Sequence, residues 1–113
     1  MWTRELKKGS IQLCLLALLA EGIKYGFQII KELEERSNGY MKIGEGTLYP
    51  ALHKLEKKGY VSSEWKVVMY GKPPRRYYTL TEKGRIALNE AKREWARFRN
   101  AVDGILGEKN ETG

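Results

Sequence analysis

Apolar positions fall along this chain in blocks whose spacing changes from helical to extended and back to helical. Ile11, Leu13, Cys14, Leu15, Leu16, Leu18 and Leu19 cover nearly every side of a first helix, read over about residues 5–20 and ended by Glu21-Gly22. A helix that is apolar all round needs cover on more than one side. One side is therefore expected to face the core, and another, with Leu15, to face a second subunit. Residues 25–36 read as a second helix, with Ile29, Ile30 and Leu33 inward and Glu32, Glu34, Glu35 and Arg36 toward water. Ser37-Asn38-Gly39 is a helix stop. After a short loop, residues 45–58 form a third helix whose Leu48, Leu52 and Leu55 must face the core. Pro50 is read as lying in its first turn, where a missing N–H has no partner to lose. The opposite face carries Thr47, Tyr49, Pro50, His53, Lys54 and Lys57.

The period then drops to two. Over 61–70, Val61, Trp65, Val67 and Met69 alternate with Ser62, Glu64 and Lys66, which predicts a strand. Gly71-Lys72-Pro73-Pro74 is turn chemistry and 75–80 is the return strand. Thr81 reads as an N-cap, with Glu82 at the positive end of a last helix over 82–106. In that helix Leu88, Ala91, Trp95, Phe98, Val102 and Ile105 recur at intervals of 3, 4, 3, 4 and 3, an a/d seam that calls for a partner helix. The whole is a mainly α chain with a small β-hairpin: a winged helix-turn-helix over 1–81, a long C-terminal dimerisation helix over 82–106, and a polar tail over 107–113 expected to be disordered.

Charge sharpens this picture. Eight Lys/Arg and three acids lie between Lys42 and Tyr78, so +5 of the net +7 sits in a third of the 113 residues. A concentrated positive field on one helix and one hairpin is the footprint of a polyanion binder. The third helix suits the major groove of duplex DNA, while the hairpin reaches the flanking backbone or minor groove. The residues expected at DNA are Tyr25, Lys42, Thr47, Tyr49, Pro50, His53, Lys54, Lys72, Arg75 and Arg76, the last three placed at the wing tip. Local packing competes with DNA contact for Tyr49 and Pro50.

Other chemistry finds little material. One His and one Cys supply neither a nucleophile with its base nor a four-ligand metal site, so no enzyme, metal or cofactor is expected. Cys14 reads as a small core residue, and a lone thiol favours a reducing compartment. The basic N-terminus (Arg4, Lys7, Lys8) before the apolar run imitates a secretion signal. Gln12 interrupts that run, no good cleavage site follows it, and it is too short for a bilayer, so a cytoplasmic protein is expected.

Three motifs carry a likeness. Tyr25-Gly26-Phe27-Gln28-Ile29-Ile30, Gly46-Thr47-Leu48-Tyr49-Pro50-Ala51-Leu52 and Lys72-Pro73-Pro74-Arg75-Arg76-Tyr77-Tyr78-Thr79-Leu80-Thr81-Glu82-Lys83-Gly84 together resemble the PadR-like transcriptional regulators, across roughly residues 5 to 106. The resemblance implies a homodimeric winged helix, usually a repressor, that binds a double-stranded operator. The single C-terminal helix is similar to the short subgroup, some members of which hold planar aromatic compounds between paired tryptophans at the dimer centre. Trp95 stands where that tryptophan would be. A twofold axis would duplicate it, and two indoles sandwich a planar ring. Phe98, Gln12, Leu13 and Leu16 are the further candidate pocket walls. Lys92 and Arg99 depart from the drug-binding pattern, which has an aromatic and an acid there. The dimer contact is expected at Leu15, Leu88, Ala91, Trp95, Phe98, Val102 and Ile105. A winged helix that binds DNA without sequence preference, or one that binds only proteins, remains the alternative.

Overall fold

The computed structural model describes residues 4–108, with side chains from Ser10 onward. Elements follow in the order α1 (Arg4–Ala20), β1 (Lys24–Tyr25), α2 (Gly26–Arg36), α3 (Glu45–Lys57), β2 (Val61–Lys66), β3 (Arg75–Leu80) and α4 (Glu82–Leu106). The sheet is antiparallel with β3 in the centre, in the order β1-β3-β2. Winged helix-turn-helix architecture with a long C-terminal helix is thus the fold. Lys7 and Lys8 of the basic N-terminus lie outside the described side chains. Of the expected tail only Gly107 and Glu108 are described.

The core is a single cluster. Ile11, Leu15, Leu16, Leu18 and Leu19 of α1 meet Ile29 and Leu33 of α2 and the stripe Leu48, Leu52 and Leu55 of α3. Val61, Tyr78 and Leu88 close it from the sheet and α4. Three side chains expected at a partner or a ligand belong to this core instead. Leu15 and Leu88, expected at the subunit contact, have 0% and 2% of their surface exposed. Both are sealed inside one chain, so they have no area left for a partner. Leu16, expected as a pocket wall, is buried in the same core. Gln12, Leu13, Cys14 and Ala17 of α1 stay half-buried.

Capping sets the boundaries. The Tyr25 backbone N–H donates to Gln28 Oε1 at 3.4 Å at the start of α2, and the Thr81 hydroxyl accepts from the Gly84 N–H at 3.0 Å at the start of α4. Arg36 donates to both Glu21 oxygens at 2.7 Å. This hydrogen bond, aided by Arg36 and Lys24 charge, holds the exposed Glu21 carboxyl below its usual range.

Two local readings change. Pro50 is the sixth residue of α3, beyond the first turn. It removes the N–H that would serve the Gly46 carbonyl, and because Gly46 is exposed the loss is tolerated. The strand expected over 61–70 ends at Lys66. Val67 and Met69 are 73% and 61% exposed and belong to a loop over residues 67–74. The alternation continues in sequence, but no core lies beneath it.

Candidate nucleic-acid interface

α3 presents three faces. Leu48, Leu52 and Leu55 are fully buried. Thr47, Pro50, Lys54 and Lys57 are exposed on the side away from that stripe. Tyr49, His53 and Glu56 occupy the flank between them, at helical spacing, and line a cleft of about 820 Å³. The N-terminal end of α2 (Gly26, Phe27) with Tyr25, and the β-hairpin (Trp65, Pro74, Arg75, Arg76, Tyr78), form its other walls.

The two arginines of the return strand have different surroundings. Arg76 Nη2 is 3.3 Å from Glu56 Oε1, and its Nε donates to the Ser63 hydroxyl at 3.0 Å. Ser63 in turn donates to Glu56 Oε2 at 2.7 Å. The guanidinium also lies 5.6 Å from the Trp65 ring centroid and 5.8 Å from that of Tyr78. Arg76 is thereby a bolt between the hairpin and α3. Arg75 carries no ion pair among the described residues; its guanidinium stacks on the Tyr25 ring at 4.3 Å, and Tyr25 meets Tyr77 edge-on at 5.6 Å. Burial is the main cause that raises the Tyr78 phenol above its usual range, opposed by Arg76 and reinforced by Tyr49 and Glu56, so Tyr78 stays protonated beneath the cleft.

Among the residues expected at DNA, the structure brings Tyr25, Tyr49, His53, Arg75 and Arg76 together around the cleft. Thr47, Pro50 and Lys54 lie on the outward side of α3, Lys42 in the loop before it and Lys72 in the hairpin loop, all exposed. Arg75 and Arg76 are not at the wing tip. They open β3 opposite Lys66 and Trp65, because the hydrogen-bonded ladder ends there and the loop lies beyond. The Tyr49 hydroxyl packs against Gly26, in the space a side chain there would take. The sequence reading missed Glu56, Ser63, Phe27 and Trp65. Glu56 alone carried a signal, as an acid on a basic helix in line with Tyr49 and His53.

Away from this surface, Trp95 and Phe98 form an aromatic pair on α4, with centroids 6.2 Å apart and rings inclined by 31°. Gln12 and Leu13 are half-buried on α1. Burial raises the Cys14 thiol above its ordinary range, and its Sγ lies 3.9 Å from Met41 Sδ. Among the described residues no group of three His, Cys, Asp or Glu is placed to hold a metal. No helix of the described residues is long and apolar enough to cross a membrane.

A basic helix with an adjoining basic hairpin on one compact head defines the class: a winged-helix protein of the DNA-binding kind. The comparisons with known proteins fix the family. The model of the transcriptional regulator PadR-like family matches residues 15–90. The chain is 38% identical over 90 residues to Transcriptional regulator Rv3488 of Mycobacterium tuberculosis, covering 80% of this chain and 79% of that one. It is similar in structure to a transcriptional regulator from Clostridium thermocellum, with a TM-score of 0.81 at 29% identity over 88% of this chain and 96% of that one. A PadR family regulator from Eggerthella lenta has a TM-score of 0.78 at 34% identity, over 94% and 88%. The chain belongs to the PadR-like family of transcriptional regulators. It is a DNA-binding transcriptional regulator rather than an enzyme.

Proposed function

We propose that this regulator is a cytoplasmic homodimer that represses transcription from a pseudo-palindromic operator and releases it when a planar aromatic compound enters the dimer centre. The observation that carries the reading is the second half of α4. Trp95, Phe98, Ile105 and Leu106 are 43%, 54%, 86% and 65% exposed, and Trp95, Phe98, Val102 and Ile105 follow the a/d seam with Ala91. An apolar stripe of this length on a single chain marks an interaction surface, and an a/d seam fits another helix of the same kind. Twofold pairing would set two reading heads on half-sites about 34 Å apart. In each head Thr47, Pro50, His53 and Lys54 of α3 would meet base edges and Lys42, Lys72 and Arg75 the phosphates. The ring pair of Trp95 and Phe98, doubled by the axis, would grip the effector. Lys92 and Arg99, basic and exposed on the neighbouring turns, favour a neutral or anionic ring over a cationic one.

The test measures affinity for a selected duplex and for its scrambled counterpart at one salt concentration, together with tryptophan quenching by a panel of planar aromatics. Specific binding by 10³-fold or more is the expected range, weakened when a quenching compound is present. Equal affinity for both duplexes would mean phosphate contact alone, and a regulator without operator specificity.

The arginine pair gives a second expected result. Arg75→Ala should reduce the steepness of log affinity against log salt by about 0.9 for one lost phosphate contact. Arg76→Ala should leave that slope unchanged and lower affinity by loosening the hairpin, since Glu56 already neutralises Arg76. Equal slope changes in the two variants would refute this division of roles.

A further inference from the structure

The loop between β2 and β3 carries the longest exposed apolar run of the head. Val67, Val68, Met69 and Tyr70 are consecutive and 73%, 54%, 61% and 99% exposed. Such runs mark contact surfaces. This one is held in a defined shape. The Lys72 N–H donates to the Met69 carbonyl at 3.1 Å, and Gly71 has φ +83°. That is the type II pattern, with Tyr70 and Gly71 at the corners and a left-handed residue in third place. Tyr70 stands at the apex. Pro73 and Pro74 stiffen the return, and the Arg76–Glu56–Ser63 bolt fastens the base of the hairpin to α3. The apex is an apolar point on a stiff arm fixed to the reading helix.

Its surroundings are cationic. Lys72 and Arg75 flank the run on its return side, whereas Lys66 on the approach already pairs with Glu64 at 3.4 Å, and residues 65–81 contain no Asp or Glu. An apolar point beside cations suits a polyanion with an apolar interior. The polyanion within reach of an arm fixed to α3 is the duplex that α3 reads. Minor-groove proteins insert side chains of this type between base steps and kink the helix.

We propose that Met69 and Tyr70 form a wedge that enters the minor groove beside each half-site, partly unstacks one base step and bends the duplex. This rests on the DNA-reading assignment of α3 and the hairpin. Lys72 and Arg75 hold the phosphates beside the opened step. Pyrimidine–purine steps yield most readily to such deformation, so the wedge gives sequence preference at a position where no base edge is read. Two copies place two wedges symmetrically, one outside each half-site.

The test uses the full chain and a short duplex that the protein selects from a randomised pool. The duplex carries donor and acceptor dyes at its ends and 2-aminopurine at successive flanking positions. The wild type should shorten the end-to-end distance and brighten 2-aminopurine at one step. Tyr70→Ala combined with Met69→Ala should remove both signals and weaken binding roughly tenfold, the net of lost apolar burial against unstacking. The salt slope should not change, because no cation is lost. Both side chains are exposed, so the Tm should match the parent. A tight wild-type complex that stays straight with no brightened base, or a double variant that bends DNA as its parent does, overturns the wedge and leaves the DNA-reading assignment standing. No binding to any duplex in dilute buffer overturns both. If the double variant loses its dimer, the apex belongs to a second copy. If the wild type sediments with phosphatidylglycerol vesicles and the variant does not, it belongs to a membrane. Either result rejects the wedge.

Discussion

Phe98→Glu is expected to yield a folded monomer whose affinity for the operator is lower by a factor of roughly 10²–10⁴. Phe98 is half exposed in the single chain, so the head does not need it to fold. What fixes α4 to the head lies earlier, where Leu88 enters the core and Thr81 caps the first turn. On the proposed seam the same side chain is covered by a second α4, and a twofold axis would bring in two carboxylates with it. A buried unpaired charge is far costlier than the lost ring. Arg97 and Arg99 stand on neighbouring positions, pointing to other sides of the helix, and Arg97 already faces Glu94 at 3.5 Å. Once the heads separate, each binds its half-site alone, and the second head no longer acts at the effective concentration set by the first. Sedimentation velocity should report a monomer, circular dichroism the same helix content with a lower melt that no longer depends on protein concentration, and fluorescence anisotropy the lost affinity. A variant that still sediments as a dimer would place the contact elsewhere.

The helices were legible because their cues are local. The seam of α4 and the Thr81 cap lie at or within the segment they define, and the observed span, Glu82–Leu106, is the one expected. α2 begins one residue later than expected, at Gly26, because its capping residue Tyr25 is claimed by a strand. That strand, β1, left no trace in the sequence. Its two residues are extended only because Lys24 and Tyr25 pair with Tyr78 and Tyr77, more than fifty positions away. The same limit applies to Arg76. A basic residue after a turn reads as a free cation until the fold sets it beside Glu56, and that contact spans 20 positions. Leu15 and Leu88 fail differently. Periodicity identifies an apolar stripe, but it is silent on whether the stripe is covered by the same chain or by another. The buried leucines of α1 are covered by its own α2, α3, α4 and β3, whereas Phe98, Ile105 and Leu106 on the later half of α4 stay exposed among the described residues. The fold was therefore largely written in spacing and caps. The interface was written only as a list of exposed residue types, and its grouping around the cleft required the tertiary structure.

Gly84→Ala is expected to destabilise the protein by about 3 kcal/mol, the upper part of the range for overpacking, and to lower its Tm by roughly 10–20 °C. A methyl group at this position would run into the Tyr60 carbonyl oxygen and come within 2.7 Å of Leu80 Cδ1. The first obstacle is backbone and has no rotamer by which to yield. It is also engaged, since the Tyr60 carbonyl accepts from the Thr81 N–H at 3.0 Å. Around it the Tyr60 N–H donates to the Leu55 carbonyl at 3.0 Å, the Thr81 hydroxyl donates to the Gly59 carbonyl at 2.6 Å, and the Lys83 ammonium lies 5.7 Å from the Tyr60 ring centroid. The end of α3 and the start of α4 are thus clasped at one point, and Gly84 is the position that lets them close. A shift there tilts α4 relative to α3, and so alters how far apart a pair of heads would stand. Operator affinity at a temperature well below the melt should consequently fall more than affinity for a single half-site. A thermal scan checks the first effect. Anisotropy with full-site and half-site duplexes checks the second, and an equal loss on both would mean that the joint stabilises the fold without setting the spacing.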